Sequence, residues 1–288
     1  MKKLYLFVLC VIVLLGYMYR DTSHEAEFKP PMSPHGVPYR VGNLGGKPVL
    51  VGEGFSSLEY EDSPRLVREN RYKGYKPPPR DFNSVITSFA VYMKYTSGLI
   101  LVRYGGAPEG SEAARTAKES QKQYRAEEHQ KHNEWVTIMT NAGVRYYPNL
   151  TAFFNNKTIN SPIRTRESME ENHYRSIHIP ANKEEFGLEK YDPHPDWVSS
   201  YGYPETEDMY IKKDSQGKVT TLILCKNKER NNLEKRCHMY WNIEPFMKVQ
   251  LRALFNRVHL KDWRLIQERS EKIIKDLAVD PKTISNNL

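Results

Sequence analysis

The sequence predicts an α+β fold: antiparallel β-sheet layers packed with a few helices, set behind a single N-terminal transmembrane signal-anchor helix. Three observations predict it. Residues 4–19, LYLFVLCVIVLLGYMY, are apolar and uncharged, fenced by Lys2, Lys3 and Arg20. Several later stretches alternate apolar and polar residues with the period of two that a half-buried strand requires. Only 111–134 and 263–277 carry a helical composition or a helical apolar stripe. Each half of the chain holds a β-hairpin and one helix, so two similar subdomains are expected. The chain divides into a cytoplasmic tip (1–3), the anchor (4–19), a proline-rich tether (20–38), an α+β subdomain (39–160), an irregular loop region (161–205) and a C-terminal sheet-plus-helix subdomain (206–288).

Sixteen helical residues span about 24 Å, a little less than a hydrocarbon core of about 30 Å. Tyr17 and Tyr19 suit the interface and close part of the gap. A cleaved secretory signal is the competing reading, but GYMYRDTSHEAEF offers no Ala-x-Ala-like site at the right distance. Lys2, Lys3 and the α-amino group precede the segment, whereas Asp21 and Glu25 soon offset Arg20. The positive-inside rule therefore holds the short N-terminus in the cytoplasm and exports the rest. In a bacterium the domain would face the periplasm from the inner membrane. In a eukaryote, Asn149-Leu150-Thr151 and Asn156-Lys157-Thr158 would read as glycosylation acceptors.

Setting aside Lys2, Lys3 and Arg20 from the 43 basic residues leaves 40 against 35 acidic, a mild net charge near +5. These charges are interspersed rather than blocked, so no nucleic-acid groove is expected. Two cysteines, Cys225 and Cys237, remain beyond the anchor; an even count in an oxidising compartment argues for a disulfide between them. The rival, a zinc site of Cys225, Cys237 and His238, lacks paired-cysteine spacing.

Along the chain, Pro30, Pro31, Pro34 and Pro38 make the tether semi-rigid, and order is expected from Tyr39. Glycines flank a short strand over 48–51. KPPPR at 76–80 breaks the chain as an extended loop. Phe89, Val91, Met93 and Tyr95 alternate with Ala90, Tyr92 and Lys94, and LILVRY follows as a partner strand. A polar helix covers 111–134, then WVTIM begins another strand. The middle, 147–203, reads as loop apart from a strand over 186–191. MYIKKDSQGKVTTLILC is a hairpin turning at 214–217, and HMYWNI and VQLRALF add strands. A closing helix over 263–277 takes Asp262 as N-cap and presents Trp263, Ile266, Ile273 and Leu277 as one stripe.

The residues make no case for an enzyme. His129 and His132 share a helical face beside Glu127 and Glu128, but no HExxH pattern or third ligand accompanies them. His173, His178 and His194 fall among carboxylates in the irregular middle, where polar clusters are commonly solvated. There is no GxSxG elbow and no phosphate-binding loop. No cofactor is expected. Tyrosine stands out, 19 against 10 phenylalanines, and tyrosine-rich loops suit binding surfaces as well as strand anchoring. Tyr191, Trp197, Tyr201 and Tyr203 cluster in one loop-like segment and are the expected partner-binding residues.

The order GNLGGKPV, LEYEDSP, KGYKPPPR, SVITSFAVYMKY, then YIKKDSQGKVTTLILCKNK, CHMYWNIEP and LKDWRLIQERSEKIIKDL resembles a family of proteobacterial envelope proteins. The likeness runs from about Val41 to Leu277, broken by the variable middle. Members of that family are associated with type VI secretion loci, where they look like immunity proteins. The resemblance carries over no catalytic residues. It implies a protein partner, a cognate antibacterial effector, bound in the periplasm and neutralised by occlusion. The alternative expectation is an accessory envelope protein of the secretion system; an envelope hydrolase is the third.

Overall fold

The computed structural model describes residues 29–63, 76–102, 106–130, 132–158, 177–195, 206–227 and 235–285. The anchor expected at 4–19 lies outside them, and among the described residues no helix is long and apolar enough to cross a membrane. The mixed α+β class with antiparallel sheets and few helices is what the chain adopts.

The described residues form twelve strands in two sheets. A small sheet pairs β1 (Arg40–Leu44) with β2 (Lys47–Val51). The large one has ten strands: β3 (Phe55–Tyr60), β4 (Ile86–Lys94), β5 (Leu99–Ile100), β6 (Trp135–Asn141), β7 (His178–Glu185), β8 (Leu188–Pro193), β9 (Glu207–Lys213), β10 (Val219–Lys226), β11 (Arg236–Asn242) and β12 (Gln250–Asn256). Their spatial order is β3-β4-β6-β12-β11-β10-β9-β8-β7, with β5 attached to β4. β6 pairs with β12, Ile138 opposite Ala253, so the two expected subdomains contribute to one continuous sheet rather than building separate ones.

Alternation sorts each central strand into two faces. Phe89, Val91, Met93, Val136, Ile138, Leu251, Ala253, Phe255, Met239, Trp241 and Ile223 point to an inner face and form one buried core. Helix α3 (Trp263–Lys275) covers that face with Trp263, Ile266, Ser270 and Ile274; Ile273 and Leu277 are only partly buried. The hairpin β1–β2 closes the same core with Leu44, Val49 and Val51. Its turn is Gly45-Gly46, both at positive φ, and a Cβ on Gly45 would meet the Lys248 carbonyl at 2.7 Å. Only glycine fits there.

Several expectations shift. The tether's end belongs to the domain: Tyr39 N–H donates to the Pro31 carbonyl, and the Ser33 hydroxyl donates to Glu53 at 2.9 Å. The polar helix is α1 (Glu112–Glu127), capped by Ser111, whose hydroxyl accepts from Ala114 N–H at 3.1 Å. It stops at Glu127, short of residue 134, and Glu134 instead leads into β6, its carbonyl accepting from Tyr95 N–H at the end of β4. Of LILVRY, Leu99 and Ile100 pair with β4, and Leu101 N–H donates to the Tyr92 carbonyl.

The middle is more ordered than expected. Helix α2 (Leu150–Thr158) begins where Asn149 Oδ1 accepts from Ala152 N–H at 2.8 Å, so the first glycosylation-like triplet is a helix cap. The strand expected over 186–191 is displaced: Phe186 and Gly187, both at positive φ, are the turn of the hairpin β7–β8. A short helix α4 (Pro281–Ser285) ends the described chain.

Candidate functional site

The inner face is closed; the outer face of the large sheet is covered unevenly. At one end, Tyr124 of α1 packs edge-on against Tyr92 and Trp135, ring centroids 6.1 and 5.4 Å apart. At the other, Leu150 and Phe154 of α2 bury against Met209, Ile211, Leu222 and Leu224. Between the two helices Thr137, Met139, His238, Tyr240, Arg252 and Leu254 remain half-buried on adjacent central strands. They occupy the polar phase of strands whose other phase is core.

Next to α1 this face deepens into a cleft of 310 Å³ lined by Tyr92, Tyr124, Trp135, Thr137, Leu254 and Arg236, with Glu128 at its margin. Three rings and a leucine line it together with Asn133 and Asn256, most of its exposed surface is polar, and the Trp135 indole N–H finds no acceptor among the described residues.

Beside the cleft stands a fixed pair. Arg252 Nε donates to His238 Nδ1 at 3.1 Å and its Nη2 makes a second, shorter contact with the same atom. A guanidinium only donates, so Nδ1 is the acceptor and the neutral ring carries its proton on Nε2. Burial, then Arg252, Lys226 and Arg236, lower the His238 pKa to about 4. The Arg252 guanidinium also lies 5.6 Å from the Tyr240 ring centroid. Elsewhere cations are answered by carboxylates: Arg80 by Asp62, Arg145 by Glu59, Lys213 by Glu189, Arg257 by Asp208. Among the described residues no carboxylate is ion-paired with Arg236 or Arg252, while Lys226 stands opposite Glu207 of β9.

Of the expected contact residues, Tyr191 lies on β8 with its ring edge-on to Phe154 of α2, centroids 5.2 Å apart, where it supports the second core cluster. Trp197, Tyr201 and Tyr203 lie outside the described residues. Cys225 and Cys237 form a disulfide between directly opposed positions of β10 and β11, fully buried on the inner face. The zinc alternative fails on alternation: His238, one residue on from Cys237, points to the other face.

Of the expected histidines, His178 and His194 stand at neighbouring positions across β7 and β8, where His194 N–H donates to the Ile177 carbonyl. His129 is almost fully exposed, 3.5 Å from Glu128. His178 is buried and its Nε2–H donates to the Glu207 carbonyl at 2.8 Å, while His173 lies outside the described residues. Among the described residues no three His, Cys, Asp or Glu side chains gather as metal ligands.

Sequence reasoning missed Arg252 and weighed His238 only as a zinc ligand. The available signal was their place in the polar phase of HMYWNI and VQLRALF, two neighbouring strands of a sheet whose apolar phase was already clear.

No protein-family profile matches this chain, and no curated protein matches it either. Among solved structures, an immunity protein of the Stenotrophomonas maltophilia type IV secretion system aligns with it at 14% identity and a TM-score of 0.46, covering 88% of this chain and 100% of that one.

Proposed function

We propose that this chain is an envelope immunity protein. Residues 4–19 anchor it in the inner membrane, its domain works in the periplasm, and it neutralises a type VI secretion toxin by occluding the toxin's active site. The motifs shared with the envelope-protein family support the biological setting. The observation that carries the binding role is the half-buried face between α1 and α2, where aromatic rings and unanswered cations sit on a rigid antiparallel sheet cross-linked through Cys225 and Cys237. Large rings with polar tips, held by strands, lose little freedom when a partner covers them.

Deleting the gene tests this reading. Cells without the chain are expected to be killed by sibling cells only when the neighbouring effector gene is intact, and the two proteins are expected to co-purify. Sensitivity that persists without the effector gene would instead mark an accessory envelope role. Trp197, Tyr201 and Tyr203 belong in the same assay as a triple alanine variant. Tyr191 is assayed separately, because its ring supports α2 and its loss would lower stability as well as contact.

A further inference from the structure

We propose that the face around Arg252 and His238 docks an acidic loop of a partner protein, whose carboxylates sit on Arg252, Arg236 and Lys226 while its apolar flank enters the adjoining aromatic cleft. The proposal rests on the binding reading above and adds the chemistry of the partner.

Four observations carry it. First, Arg236 and His238 alternate on β11, Lys226 lies diagonally across on β10, and Arg252 on β12, so all four side chains share the outer face. Second, among the described residues neither Arg252 nor Arg236 is ion-paired to a carboxylate, although carboxylates satisfy most other basic side chains of the sheet; Lys226 faces Glu207 across the β9–β10 pair. Third, Arg252 is preorganised. Its contacts with His238 Nδ1 and the Tyr240 ring fix the guanidinium plane, leaving further N–H groups for a bidentate acceptor. Fourth, His238 adds a neutral Nε2–H donor to the same patch, because Arg252 holds its other nitrogen as the acceptor. The result is a surface of donors with an aromatic-lined recess beside it. Two carboxylates stand nearby, Glu128 at the cleft margin close to Arg236 and Glu207 of β9 directly opposite Lys226, and neither is paired with Arg252.

A polypeptide fits this arrangement better than a polyphosphate or a membrane. A nucleic-acid backbone needs a track of cations, and a lipid surface needs a convex or flat basic rim. Here three cations border a concave aromatic floor. Alternating carboxylates and apolar residues on an extended loop match it in both charge and shape.

The test uses the full chain in detergent micelles and a fluorescein-labelled decapeptide alternating Asp or Glu with Leu, followed by fluorescence anisotropy. A lysine counterpart is the control. The acidic peptide is expected to bind saturably and to weaken as salt rises, and the lysine peptide to bind no better than free dye. Losing a charge-assisted contact is expected to weaken binding about tenfold or more in Arg252→Gln and in Arg236→Glu. Arg236 is exposed at a strand end, so its variant leaves folding intact, as thermal unfolding would check. Lys282→Glu, an equal charge change beyond α3, is expected to leave binding unchanged. Equal binding of both peptides, or an equal loss in Lys282→Glu, would overturn the proposal. So would stronger competition from inorganic phosphate or from phosphatidylglycerol vesicles than from unlabelled acidic peptide, which would assign the patch to phosphate or lipid. Because no toxin enters this assay, its outcome is separate from that of the gene deletion.

Discussion

The Tyr95 hydroxyl donates to the Asp262 carboxylate at 2.9 Å, so the residue standing at the N-cap of α3 is bound to a strand rather than to its own helix. The same hydroxyl lies 3.0 Å from His259 Nδ1, and His259 Nε2–H donates to the Asn133 carbonyl. This chain of contacts ties β4, the entry to β6 and the 3-10 turn before α3 at one corner of the core. Burial first, then the bond to Asp262, pushes the Tyr95 phenol above its ordinary pKa.

Removing that hydroxyl should loosen the corner. Tyr95→Phe keeps the ring and is expected to lower stability by about 1–2 kcal/mol, because the Asp262 carboxylate loses a donor. Urea denaturation of the full chain measures it. No loss would mean that water replaces the phenol without penalty.

The Cys225–Cys237 bond closes a segment with a sequence separation of 12. In the chain-entropy model, replacing both residues with alanine is expected to remove about 3 kcal/mol. Since both sulfurs are buried, alkylation after mild reductant is expected to label them only once denaturant is added. Rapid labelling of the native protein would show that the bond is open to solvent.

His238 makes stability depend on acid. Its folded pKa is about 4 against an ordinary 6.5, so below the ordinary value the unfolded chain takes up a proton that the folded protein refuses. Stability therefore declines as pH falls from 6.5 towards about 4, and this contribution is flat above that window. His238→Gln keeps an acceptor for Arg252 but does not titrate. The difference in unfolding free energy between neutral pH and pH 4 is expected to shrink in that variant; an unaltered difference would mean that the imidazole is protonated in the fold.

Asn149→Ala removes the side chain that caps α2 and is expected to weaken that helix by about 1 kcal/mol. Hydrogen exchange should report faster opening over 150–158, with β4 and β12 unchanged. Uniform protection across the two proteins would show that packing of Leu150 and Phe154 alone holds the helix.

Legibility followed the strength of the local pattern. β4, β11 and β12 were readable because their apolar phase is core and their polar phase is not, whereas β9 and β10, buried on both faces, were readable from β-rich arms around the turn at 214–217. Helix α3 was readable from its stripe, although Asp262, a good capping residue by sequence, was claimed by a strand far away. α2 was hidden because Pro148 and Asn149 read as loop punctuation, when the asparagine is a start signal. The hairpin β7–β8 was hidden because HIPANKEE sits at the sheet edge, where burial imposes little alternation. The Arg252–His238 pair joins two strands, and only the register between them brings those side chains into contact. A single sequence carries no such register.

The last strand of the described residues, β12, lies in the interior of the sheet, between β6 and β11. Until it arrives, the growing polypeptide holds two half-sheets, each ending in a bare row of amides and carbonyls flanked by apolar side chains. Such rims recruit other chains as readily as their own missing partner. Synthesis that stops before Gln250–Asn256 leaves those rims exposed for good. Truncation near the C-terminus is thus more damaging than its small length suggests, and a nascent-chain holding factor has the most to protect in the interval before the middle strand is made.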